Sequence, residues 1–118
     1  MQGTSVGEVS PEVSPEETYD AIVEDLAPRG VLPGAMFGAR SLTFEGKAFA
    51  SVKNQRFAVK LMAGTQTHAE ALAISGAELF DPSGKGRPFK DWVAVPSSQS
   101  EHWPGLAEAG LAALAGDA

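Results

Sequence analysis

The chain has 118 residues, 43 % hydrophobic and 20 % charged, with a formal net charge of −6 and no cysteine. That length predicts one domain with one core, and the lack of thiols excludes disulfide staples, thiolate metal sites and a cysteine nucleophile. The acidic balance opposes a general nucleic-acid role, because Lys and Arg on phosphate supply non-specific affinity, and no run approaches the roughly 18 apolar residues of a membrane span.

Residues 1–13, "MQGTSVGEVSPEV", mix Gly, Ser, Pro, Glu and Val without period and predict a disordered tail ahead of a single domain over 14–118. They also lack the basic and apolar regions of a secretory signal, so a cytoplasmic protein without membrane attachment is expected. The first helix begins in "SPEETYDAIVEDLAPRG". Ser14 is placed to cap, Pro15 takes the first helical position, and Glu17 closes a Ser-x-x-Glu capping box. Tyr19, Ile22, Val23 and Leu26 recur at helical spacing and predict the inward face. Glu16, Asp20 and Glu24 share the opposite face. Nothing apolar surrounds them to raise a carboxyl pKa, so they read as a solvated face and not as a general-acid pair.

Pro28, Gly30, Pro33 and Gly34 predict an irregular turn. Met36 and Phe37, held between Gly34 and Gly38, predict an apolar plug at the edge of the core. From Leu42 the pattern changes to β. Strands are expected over about 42–45, 47–52 and 56–62, separated by Glu45-Gly46 and Lys53-Asn54-Gln55, as an antiparallel meander. Phe57, Val59 and Leu61 alternate with Arg56, Ala58 and Lys60, the pattern of a sheet covered on one side and wet on the other. Leu42 and Phe44 join the covered side. Phe49 or Val52 joins them according to register, since a slip of one residue exchanges the faces.

A short second helix is expected at "TQTHAEALAISGA", capped by Thr67 with Glu70, facing inward through Leu72 with Ile74 or Ala71, and ended by Gly76 in a left-handed conformation. "LFDPSGKGRPFKD" reads as a loop and "WVAVP" as one more strand. Trp103, Leu106, Ala107, Gly110, Leu111 and Leu114 form an apolar stripe at helical spacing that closes near Gly116. The predicted fold class is therefore α+β, an antiparallel meander sheet with helices mainly on one face, in the order helix, strands, helix, strand, helix.

Charge is unevenly placed along this order. Residues 1–32 hold Glu8, Glu12, Glu16, Glu17, Asp20, Glu24 and Asp25 against Arg29 alone. The segment 33–100 is net positive, with Arg40, Lys47, Lys53, Arg56, Lys60, Lys85, Arg87 and Lys90 against Glu45, Glu70, Glu78, Asp81 and Asp91. The loop Gly84-Lys85-Gly86-Arg87 invites a phosphate reading, but the Walker pattern needs Ser or Thr after the lysine and a following helix. Here Gly86, Arg87 and Pro88 follow Lys85 and lead into a strand. Gly-x-Gly-x-x-Gly fails in the same place. The loop thus reads as structural. His68 and His102 have no second ligand at metal spacing, and no serine is singled out by a His and an Asp in triad order, so no catalytic residue, metal or cofactor is expected.

"MFGARSLTFEGKAFASV", "RFAVKL", "FDPSGKGRPFKDWVAVP" and "HWPGLAEAGLAAL" together resemble the N-terminal domain of the TfoX/Sxy competence-regulator family, with the MmcQ/YjbR group as a wider neighbour, over about residues 15–115. The matching positions are Met36, Phe37 and Gly38, then Gly46 with Lys47 and Phe49, then Lys60, then Gly86, Arg87 and Pro88 leading to Trp92, and finally Trp103. The resemblance implies an α+β domain with a curved antiparallel sheet and a regulatory or binding role without agreed catalytic residues. Full-length members carry a further C-terminal helical domain.

Three functional expectations follow. The first is a non-enzymatic regulatory module acting through a protein partner, with Lys47, Lys53, Arg56 and Lys60 on the exposed side of the meander as the contact surface. The second is nucleic-acid binding through that surface together with Lys85, Arg87 and Lys90. The third is a small-molecule binder or enzyme with a pocket formed by the fold.

Overall fold

A computed structural model describes residues 14–36, 39–53, 55–81, 85–86 and 88–115. Phe37, Gly38, Asn54, Gly84, Arg87, Gly116 and the tail assigned to 1–13 lie outside these residues, as does the side chain of Met36. The elements are α1 (Pro15–Leu26), β1 (Val31–Met36), β2 (Ala39–Phe44), β3 (Lys47–Lys53), β4 (Arg56–Lys60), α2 (Gln66–Leu72), β5 (Glu78–Phe80), β6 (Phe89–Pro96) and α3 (Trp103–Ala115). Short 3₁₀ turns at Ala27–Arg29 and Ser97–His102 follow α1 and precede α3. The six strands form one antiparallel sheet in the order β1-β2-β3-β4-β6-β5, so the fold is α+β as the periodicities predict.

The first helix is built as its sequence dictates. The Glu17 amide donates to Ser14 Oγ and the Ser14 amide to Glu17 Oε1, both at 3.1 Å. Tyr19, Ile22 and Leu26 are buried, with Val23 packed beside them. Ser14→Ala should lower stability by about 1 kcal/mol, read from the shift in a urea unfolding midpoint.

Two strands depart from the sequence expectation. The segment read as an irregular turn is β1, paired with β2 from Val31 opposite Phe44 to Met36 opposite Ala39. Pro33 and Gly34 argue locally against a strand, yet β1 lies at the sheet edge, where a missing N–H is tolerated. The other is β5, three residues of the presumed loop that pair with β6, which itself starts at Phe89 and not Trp92. A further difference lies at α2, where the cap is Thr65, two residues before the expected Thr67. Its hydroxyl accepts from the His68 amide at 3.2 Å. β4 ends at Lys60, short of the expected 62.

Register decides what the alternation left open. Glu45 and Gly46 both have positive φ, 53° and 81°, the backbone of a tight type I′ hairpin. Leu42 then pairs with Ala50 but Thr43 with Ala48, leaving Phe49 as the extra residue of a β-bulge. Phe49 and Val52 are therefore both in the core, because the bulge restores to one face a residue that strict alternation would turn outward. Against Leu42, Phe49, Val52, Phe57, Val59, Val93 and Val95 pack the inward faces of α1, α2 and α3. Trp103, fully buried, stacks on Phe57 with ring centroids 5.4 Å apart.

Candidate functional site

The opposite face of the sheet carries no described helix. Its centre is a row of directly opposed small residues crossing five strands: Gly34 on β1, Ser41 on β2, Ser51 on β3, Ala58 on β4 and Ala94 on β6. The expectation of a simply wet face is corrected here. Ser41, Ser51, Ala58 and Ala94 are at most 2 % exposed. Ala58 and Ala94 join Trp92 in a second apolar cluster, separate from the main core and backed by Phe80. Phe80 lies 5.8 Å from Trp92 and 6.0 Å edge-to-face from Phe89, centroid to centroid. Phe89 keeps 38 % of its surface exposed.

Cations flank this row on both sides. Lys53 pairs in register with Arg56 two residues along the strands from Ser51 and Ala58, and Lys60 pairs with Trp92 two residues the other way from Ala58. Arg56 is held in place, its Nη1 3.4 Å from Glu78 Oε2 and donating to the Gly76 carbonyl. Both partners of that ion pair are substantially exposed, so it contributes at most about 1 kcal/mol. The other expected contact residues scatter. Lys47 pairs with Phe44 at the far hairpin and shares the helix-bearing face. Lys85 and Lys90 are exposed near the start of β6, and Arg87 lies outside the described residues.

Two polar atoms of the row have no hydrogen-bond partner. Ser41 Oγ and Ser51 Oγ are both buried and both unsatisfied. A Cβ added at Gly34 would come to 3.0 Å from Ser41 Oγ and from Thr43 Cγ2, so only glycine completes this end of the row. An unpaired buried hydroxyl costs about 1–3 kcal/mol. Ser41→Ala and Ser51→Ala are accordingly expected to be neutral or to raise the melting temperature. A fall of more than about 1 kcal/mol in either would show that the hydroxyl is partnered in solution.

The opening of β6 answers the phosphate question. The Gly86 amide donates to Asp81 Oδ2 at 2.9 Å, with Gly86 at φ 77°. A carboxylate of the chain itself thus takes the amide that an incoming anion would need. Pro88, exposed, introduces β6, and Trp92 lies four residues further on, buried.

Catalytic arrangements are not assembled. Among the described residues no group of three or more His, Asp or Glu side chains is close enough to hold a metal. His68 is buried on α2 with Nε2 2.8 Å from the Lys90 carbonyl, which ties that helix to β6, and His102 is exposed. The Tyr19 hydroxyl donates to the Ser41 carbonyl at 2.7 Å, and burial pushes its pKa up despite the nearby Arg40 guanidinium, 5.9 Å from the ring centroid. That phenol is a structural anchor of α1. A cleft of about 100 Å³ between α3 and the strands is lined by Phe49, Lys60, Met62, Gly110, Ala113 and Leu114. It falls below the roughly 300–1,000 Å³ of ordinary small-molecule pockets. No described helix is long and apolar enough to cross a membrane.

The small-residue row was readable only in part. In "ARSLTF", "FASVK", "RFAVK" and "WVAVP" the residues alternating with the apolar ones are Ser and Ala as often as Lys or Arg. A solvated strand face favours longer polar side chains, so this smallness is the signal in the sequence. No protein-family model matches the chain, and no curated protein matches it.

Proposed function

We propose that the chain is a non-enzymatic binding module that acts through a protein partner, with the helix-free sheet face as its recognition surface. The observation that supports this most is the second apolar cluster of Ala58, Trp92 and Ala94, on a face with no helix over it and with Lys53, Arg56 and Lys60 around it. An apolar centre with a charged rim is the usual anatomy of a protein interface. The regulatory role carried by the likeness to the TfoX/Sxy N-terminal domain belongs to this proposal and rests on the order of the shared motifs.

The test compares two charge reversals in affinity capture from a native lysate. Lys53→Glu with Lys60→Glu, on the recognition face, should abolish capture of proteins retained by the parent chain, whereas Lys47→Glu, on the other face, should leave it unchanged. Equal capture by both variants, or none by the parent at moderate salt, overturns the reading.

A nucleic-acid reading draws on one observation, the exposed ring of Phe89 beside the exposed Lys90, a combination that serves base stacking. The net charge of −6 weighs against it. An electrophoretic shift at low salt that weakens steeply as salt is added would replace the protein-partner reading with this one.

A further inference from the structure

We infer, resting on that reading of the face, that the row from Gly34 to Ala94 receives an acidic peptide segment of a protein partner, and that its arrival supplies hydrogen-bond partners to Ser41 and Ser51. The two hydroxyls carry the first part. Ala58 and Ala94, at the neighbouring positions of the same row, meet the packing requirement without a polar atom, so close packing alone does not call for serine at 41 and 51. Both Oγ atoms are buried and unsatisfied, on a face lined by residues small enough for another backbone to come close. An extended segment brings main-chain N–H and C=O groups, which are the partners a hydroxyl lacks.

Charge carries the second part. Lys53 and Arg56 on one side of the row and Lys60 on the other attract a chain bearing Asp or Glu and repel a basic one. The same rim disfavours a second copy stacked face to face, since a two-fold contact would set these cations against themselves. Trp92 and Phe80, at the Lys60 side, offer an apolar wall for the non-acidic side chains of the segment. Because the hydroxyls are closed to water in the free chain, the segment must part the side chains beside the row, and association is slower than docking on an open surface.

The test is selection of random dodecapeptides displayed against the full chain at low salt, with the enriched peptides then measured on variants. Ser51→Leu fills the row; Lys53→Glu with Lys60→Glu reverses the rim and keeps the test informative should the leucine variant fail to fold. Enriched peptides should be rich in Asp and Glu, bind about tenfold or more weakly to either variant, and bind several-fold more weakly to Ser41→Ala with Ser51→Ala, although that variant melts no lower than the parent. Neutral or basic peptides that still lose affinity on Ser51→Leu would overturn the acidic occupant while leaving the recognition face standing. Peptides indifferent to both face variants, or no enrichment, would overturn both. Enriched sequences resembling the chain's own Glu8–Val13 stretch would assign the occupant to this chain, and a dimer in light scattering that Ser51→Leu dissociates would assign it to a second copy; either outcome overturns the inference.

Discussion

Trp103→Ala is expected to cost about 3–5 kcal/mol. A domain of this size has about 5–15 kcal/mol in all, so the variant should be partly unfolded at physiological temperature. The magnitude follows from position. Trp103 opens α3, is 0 % exposed, and stacks on Phe57 with an interplanar angle of 22°, so its removal empties the junction between the last helix and β4. The indole Nε1 is itself buried without a partner. Trp103→Phe, which discards that unpaired N–H and keeps a stacking ring, should therefore lose much less than alanine. Urea unfolding of the three proteins checks both statements. An alanine cost below about 1 kcal/mol would mean that α3 does not seat where described.

Gly110→Val is expected to be the next most damaging change, at about 3 kcal/mol, the upper end for overpacking a filled core. A Cβ at this position would lie 2.5 Å from Val59 Cγ2, 3.1 Å from Phe49 Cδ2 and 3.5 Å from the Lys60 carbonyl oxygen. Val59 is fully buried and β-branched, so it has neither room nor an easy rotamer with which to yield. Gly110→Ala meets the same contact but regains about 1 kcal/mol of helix propensity, so its net loss should be smaller. Gly105 is the internal control, on the same helix with nothing within 4 Å of an added Cβ. Gly105→Ala should be neutral or stabilise by about 0.4–1 kcal/mol. If Gly110→Val melts like the parent, α3 does not approach the bulged strand this closely.

The two core predictions and the recognition face are linked through one feature, the bulge at Phe49. By returning Phe49 to the core side beneath α3, it allows Val52 to face the core as well while Ser51 stays on the opposite face beside Ser41. A variant that straightens the bulge would move core and recognition residues together, since each step of register exchanges the two faces.

What the sequence determined by itself was local. The capping box at Ser14, the inward stripe of α1 at Tyr19, Ile22 and Leu26, the Glu45-Gly46 hairpin, and the stripe from Trp103 to Leu111 are all set by contacts within a few residues, and each appears where its pattern places it. Tertiary structure decided the rest. Pro33 and Gly34 look like breakers until an edge position makes the missing N–H harmless, and Glu78–Phe80 is too short to read as a strand without β6 beside it. Arg56, Ala58 and Lys60 read as a wet face until pairing across the sheet sets Ala58 between Ser51 and Ala94, where small side chains from separate strands add up to a buried row. The reason is range: capping and helical periodicity are encoded by neighbours in the chain, whereas an edge, a bulge and a cross-strand row exist only once residues distant in sequence have been brought into register.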